Sequence, residues 1–293
     1  MKGIDVSTLQ GVVNFEKVRA AGYEFAMIKA TQGRGEGAAT RLLRRFTDSK
    51  FKRNIEAAAN AGLACGVYHY MTARSVYEAE EEAEYFCAVI APYRDRITLW
   101  AAVDVESDMH LSGIAPATLR QIIFHFMQTI KRNGFKPMLY TNPNYLKYRF
   151  PDGAFDDSEI WLAHYGVAKP MAVPNTRIWQ KGTERVPGIN GVCDVNEGYF
   201  SPAIPAICRL AAKGVIDSPT YWCEHYADVR YLDELFIKAE AKITGPCEAD
   251  MGFEAALARL IEVGIIDSPE YWRGVANKVR FVSDLICKLG GAV

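Results

Sequence analysis

Leu99-Trp100-Ala101-Ala102-Val103-Asp104-Val105-Glu106 is an apolar run that ends on two carboxylates set two positions apart. Read as a strand, it points residues i and i+2 to the same side, which holds Asp104 and Glu106 about 6–7 Å apart at the base. In a parallel barrel the C-terminal strand ends are where active sites form. Like charges that close resist double ionisation, so one carboxyl is expected to keep its proton beside an anion. Glycoside hydrolysis needs that pair: an acid for the leaving oxygen and a carboxylate for the developing positive charge.

Outward from this strand, short apolar runs recur through the first 200 residues. Ile4 to Ser7, Phe25 to Thr31, Ala64 to Tyr70, Pro137 to Thr141, Ile160 to Tyr165, Arg177 to Gln180 and Val192 to Asn196 join Leu99 to Glu106 as strands. Helices are predicted at 14–21, 48–61, 75–90 and 115–133, with Gly22, Gly62 and Gly134 as C-terminal stops. Strand then helix, repeated, means βα units and a mainly parallel sheet. Spacing contracts over the last three strands, leaving little helix between them. Neither a Gly-x-Gly-x-x-Gly turn nor a Walker-type loop is present, which removes the nucleotide signatures of an open doubly wound sheet. The expected fold is α/β: an irregular (β/α) barrel of eight strands with about five helices, followed by a small all-α C-terminal domain.

Two more acids hold equivalent places, Asp5 at the end of the first strand and Asp194 in the last. First and last strands are neighbours in a closed barrel, so both are expected to converge on Asp104 and Glu106. Four such carboxylates on apolar strands are costly to bury unless used. Tyr68, Tyr70, Tyr140, Trp161, Tyr165 and Trp179 lie near the same strand ends, where flat side chains with polar tips suit a saccharide groove. Taken singly, each fits core packing equally well. Hard cations also favour carboxylates, so a metal-dependent hydrolase is a rival reading, although no His-x-Asp or His-x-His partner accompanies them. No metal and no cofactor are expected.

Ser201-Pro202-Ala203-Ile204-Pro205 reads as a short stiff linker, because two prolines discourage either element type. Beyond it, residues 206–239 and 256–289 align at an offset of 50 with 14 of 34 positions identical. That is an internal repeat. Each copy predicts a helix, a Gly stop, a Ser cap with Pro at the first helical position, and two further helices. Trp222 and Trp272 are expected in the core the copies share, with Tyr221 and Tyr271 beside them.

Net charge is −1 and the apolar share 49%, so no overall positive field gathers nucleic acid or an anionic membrane. The start Met1-Lys2-Gly3-Ile4-Asp5 lacks a signal-peptide pattern, and no apolar stretch approaches a membrane span. A soluble cytoplasmic product is expected. Seven cysteines without Cys-x-x-Cys spacing read as reduced core thiols, Cys247 among them. Glu78 to Glu84 reads as a solvated helix face, Arg41, Arg44, Arg45, Lys50, Lys52 and Arg53 as helix surface, and His125 as a packed or surface helix residue.

The residues then match a known pattern. Gly3-Ile4-Asp5-Val6-Ser7, Phe25 to Thr31, Gly66-Val67-Tyr68-His69-Tyr70, Val103-Asp104-Val105-Glu106, Leu139-Tyr140-Thr141, Trp161 to Tyr165, Ile178-Trp179-Gln180 and Val192 to Asn196 occur in the order found in the family 25 glycoside hydrolases, which residues 1–200 resemble. The resemblance implies a barrel with fewer than eight helices and cleavage of the β-1,4 bond after N-acetylmuramic acid. It implies Glu106 as general acid, Asp104 as its partner, and Asp5 and Asp194 as supporting acids, with Gln180 in the groove. Whether Asp104 attacks the sugar or steers the substrate's acetamido group stays open. Gln32 stands where many relatives carry Glu, and altered subsite contacts are expected there. The C-terminal repeats resemble helical modules on other wall hydrolases, which implies binding of peptidoglycan or an associated wall polymer. With no export signal, the analogy implies an endolysin held in the host cytoplasm until released to the wall. Apolar faces on the repeats could pair two chains into a homodimer. An inactive wall-binding protein and a metal-dependent polysaccharide deacetylase are the other readings.

Overall fold

The computed structural model describes residues 1–33, 45–106, 108–150, 153–244, 252–279 and 281–292. Arg41, Arg44 and Cys247 lie outside them. The chain divides into two compact units, Met1–Ala58 with Cys65–Phe200, and Ser201–Val293 with Ala59–Ala64.

The first unit is a closed barrel. Its strands are β1 Lys2–Val6, β2 Phe25–Gln32, β3 Phe46–Thr47, β4 Ala64–Tyr70, β5 Ala101–Asp104, β6 Pro137–Thr141, β7 Ile160–Ala163, β8 Thr176–Glu184 and β9 Cys193–Gly198. The order is β1-β9-β8-β7-β6-β5-β4-β2-β3, and β1 also pairs with β2. Eight strands therefore form the ring, while the two-residue β3 is an antiparallel appendage on β2. All eight predicted strands are present. Pairing is parallel for β1–β2, β4–β5, β5–β6, β6–β7 and β7–β8.

β9 runs antiparallel to both β8 and β1. Only residues 185–192 connect β8 to β9, too few for the dozen or so that a parallel crossover requires.

Among the described residues the barrel carries six α-helices: α1 Phe15–Ala20, α2 Phe51–Asn60, α3 Val76–Ile90, the single turn α4 Asp108–Leu111, α5 Pro116–Arg132 and α6 Pro143–Tyr148. In α5, Leu119, Ile122, Ile123, Phe126 and Ile130 are fully buried at helical spacing. Burying each side chain of this kind stabilises by roughly 1.5–3 kcal/mol relative to exposure. Ser75 caps α3 by accepting the Glu78 N–H at 3.2 Å. Gly22, Gly62 and Gly134 follow α1, α2 and α5 with φ of 86°, 80° and 76°, as their left-handed stops require. Between β4 and α3, fully buried His69 bonds Glu82 through Nε2 at 2.8 Å and Thr31 through Nδ1 at 2.7 Å. Glu82, fully buried and not on the solvated face expected of 78–84, also accepts the Thr72 hydroxyl at 2.8 Å, so this polar strut has partners at each end.

The second unit is helical: α7 Ala203–Ala212, α8 Pro219–His225, α9 Leu232–Lys242, α10 Phe253–Glu262, α11 Pro269–Ala276 and α12 Val282–Ala292. Three helices per copy match the repeat, and Trp222 and Trp272 are buried. Two expectations are corrected. Helix α7 begins inside the anticipated linker, burying Ala203, Ile204 and Pro205. Pro205 falls in the first turn, where a backbone N–H has no intrahelical acceptor to lose. Ser218 and Ser268 stand at the cap positions of α8 and α11, yet neither side chain makes the capping bond. Ser268 instead donates to Asp267 at 3.1 Å.

The six described cysteines are free thiols, five of them buried. No described helix is long and apolar enough to cross a membrane.

Candidate active site

Strand register gathers the acids. Asp5 on β1 is the direct cross-strand partner of Asp194 on β9, and opposed residues of an antiparallel pair project to one face. On the other side of the ring, Tyr70, Asp104 and Tyr140 are register partners along β4, β5 and β6. Gln180 and Asn196 pair between β8 and β9.

Asp5 is 7% exposed, and its Oδ2 accepts the Gln180 amide at 2.9 Å and the Asn196 amide at 2.8 Å. Those bonds favour its anion. Burial and the nearby Asp194 charge outweigh them and push its pKa up to about 7. Asp194, half-buried, takes the Tyr165 hydroxyl at 3.0 Å, and desolvation raises its pKa too.

Asp104 and Glu106 do not share one strand as predicted. β5 ends at Asp104, and Glu106 lies in the segment beyond it, exposed at the rim while Asp104 is buried. Desolvation raises Asp104 well above the carboxylate range, with Glu106 and Asp5 adding to it and Lys29 opposing. Asp104 Oδ1 has no hydrogen-bond partner among the described residues. Glu106 is also raised, first by desolvation and then by Asp194, against the Tyr140 hydroxyl 3.2 Å from its Oε2 and the charge of Lys29. Four carboxyls thus face each other's fields in one cleft, and protons are retained there above the ordinary carboxylate range.

The predicted groove residues separate into two sets. Gln180, buried, is a hub: its Oε1 lies 2.8 Å from the Tyr140 hydroxyl and 2.7 Å from that of Tyr165. Each phenol has one proton to divide between Gln180 and a carboxylate. Burial and the surrounding acids hold Tyr140 and Tyr165 in their neutral donor form. Tyr165 is 49% exposed, and Tyr68 and Tyr70 are half-buried, so these three can meet a ligand. Trp161 cannot, because it is 1% exposed. Its indole donates to Asn196 at 2.8 Å and its ring packs edge-on to Tyr68 and Tyr140, so it supports the floor from below. Trp179 is buried likewise, bonded to the His164 carbonyl at 2.9 Å.

Sequence reading passed over Lys29 and Asn196. Lys29 sits within the apolar strand β2, 2.7 Å from Gln32 Oε1 and 5.1 Å above the Tyr70 ring centroid. Desolvation lowers its pKa, while Asp104, Asp48 and Glu106 hold it charged. Gln32, buried, reaches the cleft through this lysine. A lysine inside an apolar strand, and an asparagine two positions beyond Asp194 on the same face, were the available signals.

The sequence profile described as Glycosyl hydrolases family 25 matches residues 4–189. The chain is 30% identical over 222 residues to Lysozyme M1 of Streptomyces globisporus, covering 72% of this chain and 71% of that protein. It is 32% identical over 205 residues to the autolytic lysozyme of Clostridium acetobutylicum, covering 70% of this chain but only 57% of that protein. The crystal structure of the bacterial lysozyme from Streptomyces coelicolor superposes with a TM-score of 0.59 at 27% identity, covering 69% of this chain and 94% of that one. Profile, relatives and barrel agree: this chain belongs to the family 25 glycosyl hydrolases.

Proposed function

We propose that the chain is a peptidoglycan-cleaving lysozyme that hydrolyses the β-1,4 bond between N-acetylmuramic acid and N-acetylglucosamine. The observation that carries this reading is the convergence of Asp5, Asp104 and Glu106, within the region matched to the family, on Asp194 just beyond it, all four with raised pKa values. The relatives named as lysozymes support the same substrate.

Glu106 is the general acid. It stands at the rim, where it can reach a glycosidic oxygen, and its raised pKa keeps a transferable proton. As that proton moves to the leaving oxygen, the C1–O bond breaks and positive charge grows at C1. Asp104 is the partner. Its carboxyl, set against that of Glu106, would serve the reaction either by attacking C1 or by steering the substrate's own acetamido carbonyl toward it. Water then adds at C1 and its proton returns to Glu106. Asp5 and Asp194 set the field around the pair, and Tyr68, Tyr70 and Tyr165 line the sugar path.

The wider role is a bacteriolytic endolysin, with the repeats binding the wall and release from the cytoplasm requiring a separate pore. It rests on the family analogy alone.

Mass spectrometry of fragments released from purified walls, in excess chelator, tests the chemistry. New reducing ends on muramic acid from the native protein, and none from Glu106→Gln, are expected. Release of acetate instead, loss of activity in chelator, or no release at all would return one of the rival readings.

A further inference from the structure

The two repeats interlock so that each completes a pocket begun by the other. Asp267, Ser268 and Trp272 of the second copy line a cavity of about 270 Å³ together with Tyr231, Glu234 and Lys238 of the first. With the copies exchanged, Asp217, Ser218 and Trp222 line one of about 250 Å³ together with Phe281, Asp284 and Lys288. At the offset of 50 eight lining positions correspond, while Ile265 lines only the first pocket and Tyr221 only the second. In both, a lysine bridges to the opposite copy's aspartate, Lys238–Asp267 at 3.6 Å and Lys288–Asp217 at 3.0 Å. Both also hold an aromatic residue with left-handed backbone, Tyr231 at φ 64° and Phe281 at φ 68°. That conformation is costly for a bulky side chain, yet it occurs twice at the same place.

We propose that these pockets are two equivalent binding sites, each for one neutral N-acetylated sugar unit of the wall glycan, so that the module grips one polymer at two points. Each cavity offers ammonium and hydroxyl donors beside carboxylate acceptors, which vicinal sugar hydroxyls can satisfy together, and an aromatic ring for the apolar sugar face. The lining charges, one lysine against two acids in each pocket, total −1, which opposes phosphate-bearing polymers. The volumes are below the range of drug-sized sites and suit a single ring. Two weak sites on a repeating ligand multiply retention without new contacts. The sugar assignment rests on the reading that the chain acts on peptidoglycan, whereas the pairing of pockets does not.

The chain has five tryptophans, so their indole N–H signals in the full-length Glu106→Gln protein give a resolved readout. Titration with the N-acetylglucosamine tetrasaccharide is expected to move the Trp222 and Trp272 signals to saturation. Asp217→Ala should silence Trp222 alone, and Asp267→Ala should silence Trp272 alone. These aspartates are 80% and 84% exposed, so their loss leaves the helices packed. Each single variant should bind insoluble walls at least tenfold more weakly. Unmoved signals, one substitution silencing both, or saturable shifts with poly(glycerol phosphate) or a free stem peptide would overturn the proposal. Trp161 and Trp179 report the barrel separately, and failure of the lysozyme reading would appear there and in fragment release.

Discussion

Glu106 and Tyr140 meet at 3.2 Å, Oε2 to hydroxyl, and this contact opposes the desolvation that raises the glutamate's pKa. A general acid works in its protonated form, so activity falls as pH rises through that pKa. Tyr140→Phe removes the opposing bond, and the alkaline limb of the pH–rate profile should move up. A limb that stays put or moves down, measured on purified walls, would sink the role given to this hydroxyl.

Asp5 makes the fold's stability pH-dependent. Its carboxyl holds a proton up to about pH 7 in the folded barrel, against an ordinary value of 3.8. The stability this provides is fully present below pH 4 and is lost as pH rises toward 7. Asp5→Asn should abolish that slope and leave the variant more stable at pH 8, by on the order of 1–3 kcal/mol, while lowering activity. Urea unfolding at pH 4, 6 and 8 checks it; parallel slopes for variant and native protein would refute it.

Lys29 supplies cationic charge to Asp104 and Glu106 at the expense of its own solvation. Lys29→Met keeps the stem and removes the charge. The expected result is a 10- to 100-fold fall in kcat/KM with thermal stability unchanged or raised. Equal losses of activity and stability would make Lys29 a packing residue only.

Gly3 has no room for a methyl group, since a Cβ there would lie 2.2 Å from the ring of fully buried Phe25. Gly3→Ala should cost about 1–3 kcal/mol, and Phe25→Leu in the same chain should recover part of it. Simple addition of the two losses in denaturant unfolding would contradict the clash.

Barrel periodicity was legible because each strand is a compact apolar run bounded by turn residues, and Gly22, Gly62 and Gly134 mark helix ends chemically. Asp5, Asp104, Glu106 and Asp194 stood out because acids on apolar strands demand a reason. The split between buried Asp104 and exposed Glu106 was not legible, because strand termination after Asp104 depends on neighbouring strands and not on local pattern. Trp161 and Tyr165 look alike in sequence as strand-end aromatics, yet one is 1% and the other 49% exposed, a difference set by tertiary packing. Lys29 needed its partners in view before its charge had meaning. The reciprocal pockets of the repeats arise from how two copies close on each other, which neither copy states alone.

The reversal of β9 brings the barrel's outgoing strand back beside its incoming one, with Met1 and Gly198 joined by hydrogen bonds of 2.8 and 3.1 Å. Entry and exit of the barrel segment are thus stitched at the opposite end of β1 from Asp5. A short peptide bridge could fuse them, and the ring could be reopened in a surface loop such as 185–192, yielding a circular permutant with the same cleft.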